Sequence, residues 1–192
     1  MLALAETFYS VQGEGTWTGT PAVFVRLAGC NLNCRFCDTD YSLKEYASVA
    51  NIVARVRELG GACPTVILTG GEPLAQRESS ALIDALRDDG RRVHIESNGS
   101  IAVDLPSDVW LTVSPKERLD PRMAARANEI KLIVDGRVPT EWLDAFADRD
   151  VPTFLQPEGN KAANVALAIE AAKALPARFR LGLQTHKFIG VR

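Results

Sequence analysis

The chain has 192 residues, 46% hydrophobic and 24% charged, the balance of a globular protein long enough to bury a sizeable core. A formal net charge of -2 argues against the broad basic face that nucleic-acid binding demands, but leaves room for a small anionic ligand held by a few arginines. No apolar run reaches the ~18 residues of a membrane helix, and the start, Met1 to Phe8, lacks the positive region of a secretory signal. A cytoplasmic protein with reduced thiols is therefore expected.

Residues 1–20 show no clear rhythm. Pro21–Leu27 reads as a buried strand, and Cys30–Ala47 as a long irregular loop of the kind that usually carries function. In Ser48–Leu59 the apolar positions Val49, Ile52, Val53, Val56 and Leu59 share a helical face, with Ser48 as N-cap. Pro64–Thr69 predicts a strand. Ser80–Asp89 predicts a helix that buries Leu82, Ala85 and Leu86 and stops at Gly90. Further strands are expected at Arg92–Glu96, Val109–Val113, Glu129–Val134, Val151–Gln156 and Phe179–Gln184. Lys116–Arg126 reads as a charged surface connection. Asn164–Leu175 predicts a helix buried through Val165, Ala168, Ile169, Ala172 and Leu175, closed by Pro176. With no linker or repeat, residues 1–192 read as one α/β domain with a mostly parallel sheet, whose strand carboxyl ends share one ligand-binding edge. Cys63 is expected in the core, His94 as a structural histidine, Trp110 and Trp142 in packing, and Trp17 in a loop able to meet a second subunit.

The chemistry concentrates in Cys30-Asn31-Leu32-Asn33-Cys34-Arg35-Phe36-Cys37. Three soft thiolates this close can converge on one metal centre. A structural zinc site wants four closed ligands, and no fourth Cys or His lies nearby. A [4Fe–4S] cluster held by three cysteines leaves one iron open for a substrate or cofactor. The spacing, with an aromatic before the third cysteine, resembles the radical SAM superfamily, in which the open iron binds S-adenosylmethionine (SAM) and its reductive cleavage yields a hydrogen-abstracting radical.

Polar groups recur past the ends of four expected strands. Thr69-Gly70-Gly71-Glu72-Pro73 matches the superfamily's Gly-Gly-Glu-Pro motif, where glycines admit a ligand to the backbone and Glu72 is expected to pair with the SAM ammonium. Glu96-Ser97-Asn98-Gly99 is similar to a segment that bonds ribose hydroxyls. Ser114-Pro115-Lys116 and Gln156-Pro157-Glu158-Gly159 complete the edge.

The segment Phe8-Tyr9-Ser10-Val11-Gln12-Gly13-Glu14-Gly15 resembles the N-terminal signature of the 7-carboxy-7-deazaguanine synthase family of queuosine biosynthesis. Arg26, Cys37-Asp38-Thr39, Ser114-Pro115-Lys116, Glu129-Ile130-Lys131 and Leu183-Gln184-Thr185-His186-Lys187 match it too, so the likeness spans nearly the whole chain. It implies an incomplete parallel β/α barrel with shortened helices, and a lyase that converts 6-carboxy-5,6,7,8-tetrahydropterin to 7-carboxy-7-deazaguanine and ammonia with SAM regenerated. The family's pattern assigns Cys30, Cys34 and Cys37 to the cluster and Thr39 to Mg²⁺. Phe36, Asp38, Gly71, Glu72, Glu96, Asn98, Ser114, Pro115, Lys116 and Gln156 to Gly159 would contact SAM. Val11, Gln12, Gly13, Glu14, Arg26, Thr69, His186 and Arg192 would contact the pterin, Arg192 through its terminal carboxylate. No side-chain base is expected for hydrogen abstraction. The likeness also implies an electron donor such as a flavodoxin or ferredoxin and a homodimer, with no nucleic-acid or membrane partner. A glycyl-radical activase, or a non-catalytic iron–sulfur or zinc module, would share the cysteine loop but has no use for Gln12 to Gly15.

Overall fold

Apolar, β-branched runs buried from both sides make parallel strands, and here they build one open sheet. The computed structural model describes residues 1–192. The strands are β1 (Leu2–Val11), β2 (Pro21–Leu27), β3 (Glu45–Ala47), β4 (Thr65–Gly70), β5 (Arg92–Ser97), β6 (Trp110–Val113), β7 (Glu129–Val134), β8 (Thr153–Pro157) and β9 (Arg180–Leu181). Their order across the sheet is β3-β1-β2-β4-β5-β6-β7-β8-β9. From β2 to β9 neighbours run parallel. The expected open barrel is present, with an antiparallel extension that the rhythm did not reveal: β1 pairs antiparallel with both β2 and β3.

The helices are α1 (Val49–Gly60), α2 (Ser79–Asp88), α3 (Pro121–Arg126), α4 (Ala162–Ala174) and α5 (Thr185–Ile189). Ser48 caps α1 as expected, its hydroxyl accepting from the Asn51 N–H at 3.1 Å, and Ile52, Val53 and Val56 face the sheet. Two expectations fail. Part of Lys116–Arg126 is the helix α3, started by Asp120 and Pro121, with Met123 and Ala124 buried. In α4 the buried positions are Asn164 and Ala168, while Ile169 and Leu175 are exposed. That helix covers only the last strands of an open sheet, so small alanines pack closely and no further element covers the outer side. No helix is long and apolar enough to cross a membrane.

Alternation along each strand divides the sheet into two faces. One carries Val66, Leu68, Val93, Ile95, Leu111, Val113, Ile130 and Leu132 into the main core under the helices. On the other, only Phe8, Ala22, Phe24 and Ile67 form an apolar cluster. Much of the rest of that inner face is polar, which is what leaves it available to a ligand. Register aligns it: Arg26 lies beside Thr69, Glu96 beside Thr112, and Ile133 beside Gln156. At its floor the Trp17 ring lies tilted 4.8 Å from His94 and edge-on 5.3 Å from Trp110. Trp17 is thus a plug within its own subunit. His94 is buried, and desolvation with the Arg92 charge pushes it down to about 4, so it is neutral.

Candidate active site

The carboxyl ends of the parallel strands open into a cavity of about 470 Å³. Its wall holds all three clustered cysteines together with Thr39, Arg26, Thr69, Glu96, Lys131 and Gln156, so the sheet edge and the cysteine loop face one space. Most of the other motif residues line it as well: Val11, Gln12, Gly13, Glu14, Phe36, Asp38, Gly71, Asn98, Ser114, Lys116, Pro157, Glu158, Gly159, His186 and Arg192.

The cysteine end is built from loop against turn. Cys30, Cys34 and Cys37 are free thiols, and the Cys30 sulfur accepts from the Leu32 N–H at 3.5 Å. A Cβ on Gly71 would collide with the Gly29 carbonyl and the Cys30 side chain, so only glycine lets the β4 turn close on this loop. Burial pushes the Cys34 thiol up, against the nearby Lys116 charge. No three His, Cys, Asp or Glu side chains gather around a single point. Three free thiols with no fourth Cys or His beside them would suit a cluster that leaves one iron open, and fall short of the four ligands of a closed zinc site.

Above them Lys116 lies 5.9 Å over the Phe36 ring and donates to the Ser114 hydroxyl, which donates in turn to the Lys131 carbonyl at 2.8 Å. Burial, followed by the charge of Lys131, lowers the Lys116 ammonium to about 7. Pro115 is buried behind this wall and does not reach the cavity. The side-chain oxygens of Gln156 and Gln184 are buried without a donor, although both residues line the cavity. Buried acceptors without partners are places for ligand donors, and they fit an adenosyl or pterin N–H.

The opposite end is a charge network. Glu14 is ion-paired with Lys131 and accepts from the Gln184 amide at 3.1 Å. Burial would raise its carboxyl, but the Lys131 charge together with hydrogen bonds from Lys131, Gln184 and Gln156 outweighs that and holds it at about 2. Glu96 accepts from the Gln12 amide and the Thr69 hydroxyl, each at 3.0 Å, and lies 3.9 Å from Lys131. The expected ribose contact at Glu96 is thus displaced: its carboxylate is held on the Gln12 and Thr69 side. Glu129 accepts from the Thr16 N–H at 2.8 Å and fills the space where a Gly15 Cβ would go. Gly15 itself has φ +66°, so the loop's last turn requires glycine twice over.

Glu72 overturns its expectation outright. It is fully buried outside the cavity wall and accepts from Leu74 N–H (3.0 Å), Asn98 N–H (2.7 Å) and the Ser97 hydroxyl (3.0 Å). Its carboxylate ties two strand-end turns together and is not presented to an ammonium. Asn98 donates to the Asn31 side chain at 3.0 Å, joining the β5 turn to the cysteine loop.

The C-terminal segment closes the site. Thr185 donates to the Gly13 carbonyl through backbone N–H and hydroxyl, both at 2.9 Å. Lys187 pairs with Asp38 at 2.5 Å, so Asp38 points at α5. Arg192 pairs with Glu6 at 2.5 Å, and an oxygen of its terminal carboxylate accepts from the Ser10 hydroxyl at 2.7 Å. Glu6 also binds Arg26 at 2.7 Å, which makes it a bridge between two arginines at the cavity rim. Sequence motifs did not single out Glu6, Lys131 or Gln184 as site residues. Charged Glu129 and Lys131 alternating through the apolar run of β7 were the available signal, since two inward charges on a buried strand need partners.

Comparison with known proteins agrees with this geometry. Residues 25–110 match the model of the radical SAM superfamily. The chain is 40% identical to 7-carboxy-7-deazaguanine synthase of Bacteroides thetaiotaomicron over the whole of both chains. It is 37% identical to the Burkholderia multivorans synthase over 98% of each. The chain belongs to the 7-carboxy-7-deazaguanine synthase family. The structure of QueE from Escherichia coli superposes with a TM-score of 0.80 at 29% identity, covering 96% of this chain and 94% of that one. A 7-carboxy-7-deazaguanine synthase is a radical SAM lyase, so a [4Fe–4S] cluster and SAM belong to its chemistry, and the activase and non-catalytic readings fall away.

Proposed function

We propose that this chain contracts 6-carboxy-5,6,7,8-tetrahydropterin to 7-carboxy-7-deazaguanine with release of ammonia, and that both ligands share the cavity at the strand carboxyl ends. The observation that carries this reading is the union of two chemistries in one space: three free thiols on one wall and the Glu14–Lys131–Glu96 network on the other. When bound, the cluster and SAM supply the one-electron chemistry that abstracts hydrogen from the substrate.

The chain's own residues bind, orient and exclude water. Phe36, Gly71, Asn98, Ser114, Lys116 and Gln156 to Gly159 form the SAM wall. Lys116 suits the methionine carboxylate, and Gln156 leaves a buried acceptor for an N–H. Glu14, an ionised acceptor, suits the N–H donors of the amino-pyrimidine edge, beside Gln12, Gly13 and Thr69. Arg26 would serve the pterin carboxylate at the other end, with Glu6 holding its guanidinium in place. Thr39 would offer its hydroxyl to Mg²⁺, with substrate carboxylate and water completing an oxygen shell. Val11, His186 and α5 shut the pocket, giving a radical reaction the dry site it needs. An external electron donor such as a flavodoxin or ferredoxin, a second copy of the chain and a cytoplasmic setting complete the proposal.

Glu14→Gln is the test. In anaerobic, reconstituted enzyme it should impair deazaguanine formation far more than SAM affinity, because the pterin end loses a charged acceptor. Equal loss of both would remove Glu14 from the substrate subsite.

A further inference from the structure

Lys131 has no place among the motif residues that the family's likeness assigns to ligands, yet it is the only basic side chain bonded to Glu14. It stands on the inner face of β7, between a loop carboxylate and a strand-end carboxylate. Its side chain is 10% exposed, that of Glu14 13% and that of Glu96 24%. The other charged groups facing this knot are Glu129, on the same face of β7, and Lys116 from the loop after β6. Gln12, Gln156 and Gln184 contribute neutral amides.

Two carboxylates in a poorly solvated cleft do not both remain charged unless a cation stands between them. A neutral Glu14 would carry an O–H donor beside its acceptor, and the subsite would no longer distinguish an N–H edge from a carbonyl edge. We propose that Lys131 is the positioning residue of the substrate subsite: it holds Glu14 ionised beside the neighbouring Glu96 and fixes Glu14 as an acceptor aimed into the cavity. The role is specificity exerted through Glu14, and it rests on the reading of Glu14 as the partner of the pterin's N–H edge.

The experiment uses reconstituted holoenzyme carrying Lys131→Met, Lys131→Gln or Lys131→Arg. Infrared spectra without substrate read protonated carboxyl groups directly. Relative to the parent, Lys131→Arg should show no additional carboxyl titrating between about pH 5.5 and 8, whereas Lys131→Met gains one there that is lost again when Glu14→Gln is added. Lys131→Gln, which keeps a donor on Glu14 but no charge, should gain the same signal and serves if Lys131→Met does not fold. In turnover, the neutral variants should raise KM for the pterin about tenfold at pH 6.5, with the deficit shrinking as pH rises and SAM affinity held within about twofold. Lys131→Arg should restore the flat pH profile. No new carboxyl signal in either neutral variant, or a pH-independent loss shared equally by SAM and pterin, overturns the proposal. If the signal appears but the parent enzyme leaves the pterin untouched, the charge-setting role of Lys131 stands and the substrate assignment fails.

Discussion

Glu72 offers the sharpest test of how the strand-end turns are held. Its Oε1 accepts from the Leu74 N–H and the Ser97 hydroxyl, and its Oε2 from the Asn98 N–H, all without solvent. In Glu72→Gln one oxygen becomes an NH₂. Setting that NH₂ against the Asn98 N–H loses one charge-assisted bond and leaves two buried donors, the NH₂ and the Asn98 N–H, facing each other unpaired. A charge-assisted bond contributes about 1.5–3 kcal/mol, so a loss of about 2–3 kcal/mol is expected. Burial also raises the carboxyl of Glu72, and removing that buried charge recovers part of the cost. Glu72→Ala strands all three donors and should cost about 3–5 kcal/mol, less whatever water enters the void. Urea unfolding at 25 °C measures both variants, and SAM titration of the reconstituted protein accompanies it. A stability change below about 1 kcal/mol in both, joined to a hundredfold loss of SAM affinity, would refute the reasoning and return Glu72 to the ammonium.

Replacing any one of Cys30, Cys34 or Cys37 with Ala should abolish SAM cleavage; full turnover with an intact cluster in any of the three would remove that cysteine from the ligand set. His94 should make stability fall with acid. Its folded value is about 4 against about 6.5 unfolded, so the unfolded chain takes up the proton first. Stability from this group is complete above about pH 6.5 and drains as pH falls toward 4, by about 2–3 kcal/mol at pH 4.5. Urea midpoints of the parent and of His94→Phe across that window check it, and an identical slope in both would contradict the assignment.

The parallel half of the fold was legible because strands buried on both faces read as continuous apolar runs, and the helices between them carry clear stripes and caps. β1 was not, and the cause is local. A register shift between Leu4 and Glu6 breaks the alternation, so Leu2 and Leu4 face the main core and Phe8 the smaller cluster. The expected strand Phe179–Gln184 contracts to Arg180–Leu181 because the chain turns at Gly182 to bring Gln184 to Glu14 and Asp38. In the site, short motifs located the walls, since each motif is contiguous at a strand end. The electrostatic partnerships were hidden by separation along the chain. Glu14 meets Lys131 from 117 positions away and Gln184 from 170, and only the folded sheet, with the β1–β2 loop set against its inner face, brings them together. Glu72 misled for the opposite reason: a carboxylate inside a glycine turn reads as ligand-facing until its three donors are seen.

The most direct measurement is an anaerobic incubation of the reconstituted protein with SAM, reductant, Mg²⁺ and 6-carboxytetrahydropterin, followed by mass spectrometry. Formation of 7-carboxy-7-deazaguanine with little net loss of SAM is the expected result. Accumulation of 5′-deoxyadenosine with the pterin untouched would contradict the substrate assignment while leaving the radical SAM centre intact.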